Sequence, residues 1–271
     1  MATELHPRKI GPDFFAPRAD TILAWLGMAG VLINARGTVF LIDPLLTVLR
    51  RDGREMSESE ERFLFPLPIE AKEVPRADAV LYTHADDDHF GPATARTLLA
   101  LTPLFVAPAL VGEKLSALGV PRERMRDATH SLEIPVGTSM VEVTPALHDH
   151  QKVNPYRRED CCGYLVKTPD GTIWHPGDTR LIDELLSVRG VDVFFFDVAP
   201  ARAHLGPEGS AALAKSSGAK KLIAYHYGTF DLPGQAWASS DPEDSLSHLE
   251  GLLDRFVILQ PGEILRLPLT I

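Results

Sequence analysis

The 271-residue sequence predicts an α+β domain of two mixed β-sheets with helices packed on their outer faces. Three observations carry that prediction. The first strand-like runs, 22–26, 31–35 and 39–42, follow one another with no helix between them. From residue 79 onward, strands alternate with helices. No repeat, low-complexity tract or linker divides the chain, so 1–271 is expected to form one domain, with 1–20 as an arm rich in Pro and charge.

Each element has a local reason. Gly27 and Gly30 punctuate the first two runs and Arg36-Gly37 the next, as hairpin turns do. Residues 43–75 are irregular and contain Pro66 and Pro68; a loop this long inside a compact domain is often a lid over a site. A short apolar strand at 79–83 runs into His84. Pro92 is placed for the first turn of a helix over 93–101. A strand at 104–107 precedes a helix over 109–118, stopped by Gly119 and Pro121. Strand 141–146 ends near His148. Strands 164–167 and 172–175 form a hairpin about Pro169-Asp170-Gly171. A helix over 180–188, a buried strand at 193–198 and a helix over 207–217 opened by Pro207 follow. Strand 221–225 ends at His226, and a last helix over 241–253 precedes strands within 256–267.

Asp and Glu total 37 against 27 Lys and Arg, a formal charge of −10 that argues against a nucleic-acid partner. Hydrophobic residues at 45% and charged residues at 24% suit a soluble globular protein with a sizeable core. Residues 1–15 carry charges and no apolar run, so a signal peptide is not expected. No stretch of about 18 apolar residues is present, so no membrane span is expected either. The adjacent Cys161 and Cys162 read as free thiols in a reducing cytoplasm rather than as a disulfide.

The densest chemical signal is Thr83-His84-Ala85-Asp86-Asp87-Asp88-His89-Phe90-Gly91, which follows an apolar strand directly. In extended backbone His84 and Asp86 project to one side, while Asp88 and His89 fall in the turn before the helix and aim elsewhere. One segment can thus supply two neighbouring ions. The competing reading is a solvated acidic turn that caps a helix. His148, Asp178 and His226 favour the metal reading, because each lies just past an expected strand, where layered folds gather ligands at one sheet edge.

These residues resemble the motifs of the metallo-β-lactamase superfamily, His-x-His-x-Asp-His followed by a distant His, an Asp and a final His. Here they stand as His84-x-Asp86-x-Asp88-His89, His148, Gly177-Asp178-Thr179 and Tyr225-His226-Tyr227-Gly228-Thr229. Trp25-Leu26-Gly27-Met28-Ala29-Gly30 and Leu41-Ile42-Asp43-Pro44 are similar to that family's first strands, and the branch most resembled is that of ascorbate-6-phosphate lactonase. The resemblance spans residues 21–267. It implies a four-layer αββα sandwich holding one or two divalent ions (zinc, manganese or iron). By resemblance His84, Asp86 and His148 form a first site, Asp88, His89 and His226 a second, and Asp178 bridges them. Two positions depart from the pattern. Asp86 stands where His is usual, and Met28 where His is frequent; the harder oxygen of Asp86 shifts the site from zinc towards manganese or iron.

The activity implied is metal-dependent hydrolysis of a small ester, lactone or amide, with Asp88 orienting the attacking water or taking its proton. The alternatives are a dinuclear iron oxidoreductase, motivated by Asp86, a phosphodiesterase, and a non-catalytic metal-binding protein. A small-molecule substrate is expected, and a homo-oligomer is compatible, since lactonase-like relatives often associate. Among other residues, His148 is preferred over His150 because it follows the strand directly. His175 reads as a local hydrogen-bonding residue, and His204 as a solvated loop histidine rather than a proton shuttle. Tyr227 and Trp237 suit core or pocket equally. Arg157 and Arg158 read as surface residues, with a substrate anion as the alternative. Asp43 is expected to touch a ligand histidine.

Overall fold

The first three expected strands are β1 (Thr21–Gly27), β2 (Gly30–Ala35) and β3 (Thr38–Ile42), an antiparallel meander with Leu23 opposite Ile33 and Ile33 opposite Phe40. They belong to a computed structural model that describes residues 3–153 and 155–269; Met1 and Ala2 of the expected arm lie outside the described residues. Every residue of these strands is buried, and period-two alternation sorts the side chains. Ile22, Ala24 and Leu26 join one apolar cluster, and Leu23 and Trp25 join another. Strands covered on both faces need apolar residues at nearly every position, and these have them apart from Thr21, Asn34 and Thr38.

The segment after β3 forms a small hairpin of β4 (Leu49–Arg51) and β5 (Arg54–Met56). Its Glu58 reaches the helix that follows the acidic motif. The carboxylate accepts from the backbone N–H of Ala93 at 2.7 Å and of Thr94 at 3.1 Å, and from the Thr94 hydroxyl. Gly91, at the N-cap, offers no side chain, so this distant carboxylate satisfies the first-turn donors. Further along, Leu64 N–H donates to Thr229 O at 3.0 Å and Asp231 N–H to Arg62 O at 2.9 Å, which fastens the segment over the edge of the molecule.

The chain continues through β6 (Ala79–Leu81), α1 (Pro92–Leu99), β7 (Leu104–Ala107), α2 (Ala109–Ala117), β8 (Met125–Asp127) and β9 (Glu133–Val136). Next come β10 (Ser139–Pro145), β11 (Cys162–Thr168), β12 (Gly171–His175), β13 (Val193–Asp197), α3 (Gly206–Ser217) and β14 (Lys221–Tyr225). The short α4 (Ala236–Ser239), β15 (Phe256–Val257) and β16 (Ile264–Leu267) complete it. One seven-stranded sheet has the order β16-β1-β2-β3-β6-β7-β8, the other β15-β14-β13-β12-β11-β10-β9. Val80, Phe105, Leu98 and Leu115 pack α1 and α2 onto the first sheet. Trp25, Phe40, Val143 and Val166 fill the space between the sheets, and Leu213 and Ala214 seat α3 on the second. The result is the four-layer αββα sandwich that the sequence resemblance implied. No helix among the described residues is long and apolar enough to cross a membrane.

Two expected helices are not α-helical. Residues 180–188 hold only a 3-10 turn, Asp183–Ser187, in which Leu185 alone is buried and before which Leu181 is exposed. Residues 241–253 hold a 3-10 segment, Pro242–His248, and a further turn beyond Gly251, whose φ is +73°. Leu246 and Leu253 face solvent there, so no continuous apolar stripe exists to pack a longer helix. Conversely, β8 and β9 were not anticipated; both are short edge strands with alternating or largely exposed residues.

His175 ends β12 as the expected local hydrogen-bonding residue. Its Nε2–H donates to Ala29 O at 2.9 Å, and its Nδ1 accepts from Gly177 N–H at 3.2 Å. A second ring proton would face that N–H, and burial disfavours the charge, so the pKa is pushed down from 6.5 to about 4. The unfolded chain takes this proton near pH 6.5 and the folded chain only near 4, so stability present above 6.5 is lost as pH falls through that window. Urea titrations of wild type and His175→Gln should converge by roughly 3 kcal/mol from pH 6.5 to 4. A pH-independent difference between the two proteins would refute the neutral ring.

Candidate metal centre

Strand direction collects the chemistry at one edge. β3, β6 and β7 run parallel, as do β12, β13 and β14, and two antiparallel steps bring β10 into line with β12. Their C-terminal ends therefore deliver Asp43 after β3, His84 after β6, His148 after β10, Asp178 after β12 and His226 after β14 to the same region. The two sheet edges are joined there, with Cys162 N–H donating to Thr83 O at 2.9 Å and His226 N–H to Met28 O at 3.1 Å. Met28 sits in the β1–β2 turn, and its buried side chain packs with Leu45, Phe63 and Phe230. Gly177 lets Asp178 reach the centre, since a Cβ at Gly177 would lie 2.4 Å from Cys162 O.

The structure brings the seven expected ligands together, with the four histidines around one oxygen of Asp178 and Asp86 and Asp88 against those histidines. Asp178 Oδ2 lies 3.1 Å from His226 Nε2, 3.2 Å from His89 Nε2, 3.9 Å from His148 Nε2 and 4.0 Å from His84 Nε2. Asp86 Oδ2 lies 3.3 Å from both His84 Nε2 and His148 Nε2, and Asp88 Oδ2 lies 3.5 Å from His226 Nε2 and 3.8 Å from His89 Nε2. Three-ligand groups able to hold an ion follow: His84, His148 and Asp178 on one side, and Asp88, His89 and His226 on the other.

Whether this set suits a cation can be judged from the outward nitrogens. His89 Nδ1 donates to Asp43 Oδ2 at 2.8 Å, His148 Nδ1 to Ala203 O at 2.9 Å and His226 Nδ1 to Trp237 O at 3.3 Å. The Thr83 hydroxyl donates to Asp43 Oδ2 at 2.5 Å, so it must accept from His84 Nδ1, 3.0 Å away. All four rings thus carry hydrogen on Nδ1 and turn Nε2 inward. His89 Nε2 and His226 Nε2 face each other at 3.4 Å, close enough to share one proton or one cation. His84 Nε2 and Asp178 Oδ1 are buried with no hydrogen-bond partner among the described residues. Borderline nitrogens, hard carboxylates and unsatisfied buried atoms together fit one or two divalent ions.

Around this core, Asp43 makes the contact with a site histidine that the sequence suggested. Tyr156 donates to Asp86 Oδ1 at 2.6 Å and leaves Oδ2 facing the centre. His148 is the buried partner of that oxygen, whereas His150, 3.7 Å from it, is largely solvent-facing. His204 corrects the sequence reading. Its side chain is 7% exposed, its Nδ1 lies 3.2 Å from Asp197 Oδ2, and its Nε2 lies 3.5 Å from Asp178 Oδ2. Sequence spacing missed it because it follows no strand directly; the turn after β13 folds it back. A cleft of about 560 Å³ opens over the centre, with Ser59, Glu61, Lys114, Tyr156, Phe230 and Trp237 in its wall. Trp237 is therefore a pocket residue, and Tyr227, stacked on Trp25 with ring centroids 4.9 Å apart, is a core one. A larger groove of about 930 Å³ beside α2 contains none of the metal-capable groups, so volume alone does not locate the chemistry. Arg157 pairs with Asp160 and Arg158 with Glu184, outside the cleft. Cys161 and Cys162 are free and buried, and burial pushes both thiols up.

Charge at the centre is strongly coupled to geometry. Burial would raise the Asp178 carboxyl, but His226, His89 and His204 hold it well below the usual range. Burial likewise opposes positive charge on His89, His148 and His226, and the carboxylates outweigh it. Asp178, Asp88 and Asp43 push His89 well up, Asp86 and Asp178 raise His148, and Asp178 with Asp88 pushes His226 up to about 10. His84 moves the other way, lowered by burial and by His89.

With this geometry in view, the chain can be placed among known proteins. Residues 38–227 match the family model described as the beta-lactamase superfamily domain, and the chain belongs to that family, the metallo-β-lactamase superfamily. A UPF0173 metal-dependent hydrolase of Geobacillus thermodenitrificans is 29% identical over 252 residues, 90% of this chain and 99% of the relative. A metallo hydrolase from the archaeon Ignicoccus hospitalis is similar in structure, with a TM-score of 0.69 at 18% identity, over 93% of this chain and 100% of that one. CmlA, a diiron β-hydroxylase from Streptomyces venezuelae, gives a TM-score of 0.64 at 16% identity, over 94% of this chain and 55% of that one. These structural likenesses show the fold alone.

The raised histidines set the pH dependence of metal uptake. The ion-free ring of His226, pushed up to about 10, carries at pH 7 a proton on the nitrogen a cation would occupy, and neighbouring carboxylates hold protons on His89 and His148 more tightly than on a free imidazole. Loading should therefore release protons, and apparent affinity should climb with pH towards about 10, where His226 loses its proton unaided. Calorimetry in buffers of different ionisation enthalpy measures the release; uptake with no proton release would contradict the assignment.

Proposed function

We propose that this chain is a metal-dependent hydrolase of a small ester, lactone or amide, working at a centre of one or two divalent ions. His84, Asp86 and His148 would hold one ion, Asp88, His89 and His226 the other, with Asp178 shared. The observation that carries this reading is the convergence of four inward Nε2 atoms on a single Asp178 oxygen beneath an open cleft. The name of the curated relative, a metal-dependent hydrolase matched over nearly its whole length, supports it. The lactone option rests on the sequence resemblance to ascorbate-6-phosphate lactonase.

Bound ions of this kind lower the pKa of a coordinated water and polarise a carbonyl oxygen. The chain's own residues do the rest. Asp88 keeps 18% of its side chain exposed to the cleft, where it can orient the attacking water and accept its proton. Asp43, Ala203 O and Trp237 O hold the histidine rings at fixed angles, so little reorganisation accompanies reaction. Nucleophilic catalysis is disfavoured: the Cys161 and Cys162 thiols are buried with raised pKa, and no Gly-x-Ser-x-Gly elbow occurs. A cleft of about 560 Å³ suits a small molecule.

A second reading, a dinuclear iron oxidoreductase, draws on Asp86. Its Oδ2 adds a hard anionic donor 3.3 Å from two ligand histidines, chemistry that favours manganese or iron over zinc. Metal quantification of protein purified without added metal, with a panel of esters, lactones and amides and an oxygen electrode, separates the two. Hydrolysis without oxygen uptake is the expected result; bound iron with oxygen consumption and no hydrolysis would select the second reading. Asp178→Ala should lose ion binding and lower kcat by roughly 10²-fold or more, and full activity in that variant would remove the shared role of Asp178.

A further inference from the structure

We propose that His204 is an additional ligand of the metal centre, its Nε2 joining Asp178 Oδ2 and His226 Nε2 around one ion. The proposal rests on the metal-centre reading above and adds a ligand outside the seven-residue motif set. Ligand atoms of Asp178, His204 and His226 lie within 4.8 Å of one another, as close as those of the motif residues. The His204 ring stands between the two halves of the centre, its centroid 4.7 Å from that of His226 and 5.0 Å from that of His148.

The decisive feature is how the ring is held. A metal-binding histidine nearly always donates its other N–H to a carboxylate or carbonyl, which fixes the tautomer and aims the lone pair. His204 meets this requirement as His89 does, with a fully buried carboxylate. Asp197, at the end of β13, faces His204 Nδ1 with Oδ2 at 3.2 Å. The same carboxylate accepts from Ala199 N–H at 2.9 Å through Oδ1 and from Leu205 N–H at 3.1 Å through Oδ2, pinning both ends of the turn that carries the ring. A surface histidine needs no such scaffold. The turn is also tied to a motif ligand, because Ala203 O, beside His204, accepts from His148 Nδ1. One rigid turn thus orients His148 from behind and presents His204 from the front.

The test is Co(II) binding to the full chain stripped of metal, followed by titration calorimetry and by visible d–d absorption. Wild type, His204→Ala, His204→Gln and, as a comparator, His89→Ala are measured, with circular dichroism of each ion-free protein. His204→Gln keeps a polar side chain of similar length and guards against loss of folding in the alanine variant. The expected result is an affinity lower by roughly tenfold or more for one ion in both His204 variants, with an altered absorption band, as loss of a ligand should produce. Wild-type affinity, stoichiometry and spectrum in a folded His204 variant would overturn the proposal while leaving the hydrolase reading intact. Failure of the wild type to bind Co(II) any better than His89→Ala would overturn the metal-centre reading itself, and His204 with it.

Discussion

One buried carboxylate, that of Asp43, organises the centre. Its Oδ1 accepts from Thr83 N–H at 2.7 Å, and its Oδ2 from the Thr83 hydroxyl and from His89 Nδ1. Because the Thr83 hydrogen is committed to Asp43, the same hydroxyl must accept from His84 Nδ1. One acid thereby fixes the tautomers of His84 and His89, which belong to different candidate ion-holding groups. A fully buried charge is costly unless paired and hydrogen-bonded, and these three donors offset that cost. Asp43 also holds a positive φ of +42° directly before Pro44, backbone that a non-glycine residue adopts only where its surroundings impose it.

Strain of this kind recurs around the site. Met28 and His226 are also in the left-handed region, at φ of +45° and +67°. Each stands where a strand has just ended and the chain must turn sharply to present a group to the centre. Their backbones hold each other, His226 N–H donating to Met28 O, and Thr229 Oγ1 accepts from Met28 N–H at 2.6 Å. The two sheets are thus stitched together at the edge where the candidate ligands gather, and three of the left-handed non-glycine residues, Met28, Asp43 and His226, stand there.

The departure at Asp86 has a structural counterpart. A carboxylate is shorter than imidazole and has two oxygens to aim. Tyr156 takes one of them, and the other then faces His84 and His148. The long segment after β3 contributes from the opposite side: Glu58 closes the N-terminus of the helix that follows the acidic motif, and Ser59 and Glu61 reach the cleft wall. A segment that looks irregular in sequence is therefore bound at both the helix and the Thr229 loop, and it shapes the cleft.

The sequence by itself, through its resemblance to a known family, determined the αββα layering and where the motif residues would gather. Doubly apolar strands such as β1 must be covered on both faces, and a ligand that directly follows a strand inherits its position from the strand's end. His84, His148, Asp178 and His226 were legible for that reason. The α-helices expected over 180–188 and 241–253 were not borne out, because apolar residues alone cannot tell whether a continuous buried stripe will exist; Leu181, Leu246 and Leu253 turned out to face solvent. His204, Tyr156 and Glu58 were beyond sequence reasoning for a related cause. Each lies in irregular backbone, with no periodicity to set its direction, and each acts on a partner distant in the chain. Only the tertiary structure decided which of these side chains turn inward, because the carboxylates that hold them or that they hold, Asp197 accepting from His204, Asp86 from Tyr156 and Glu58 from the first turn of α1, are brought into place by the packed chain.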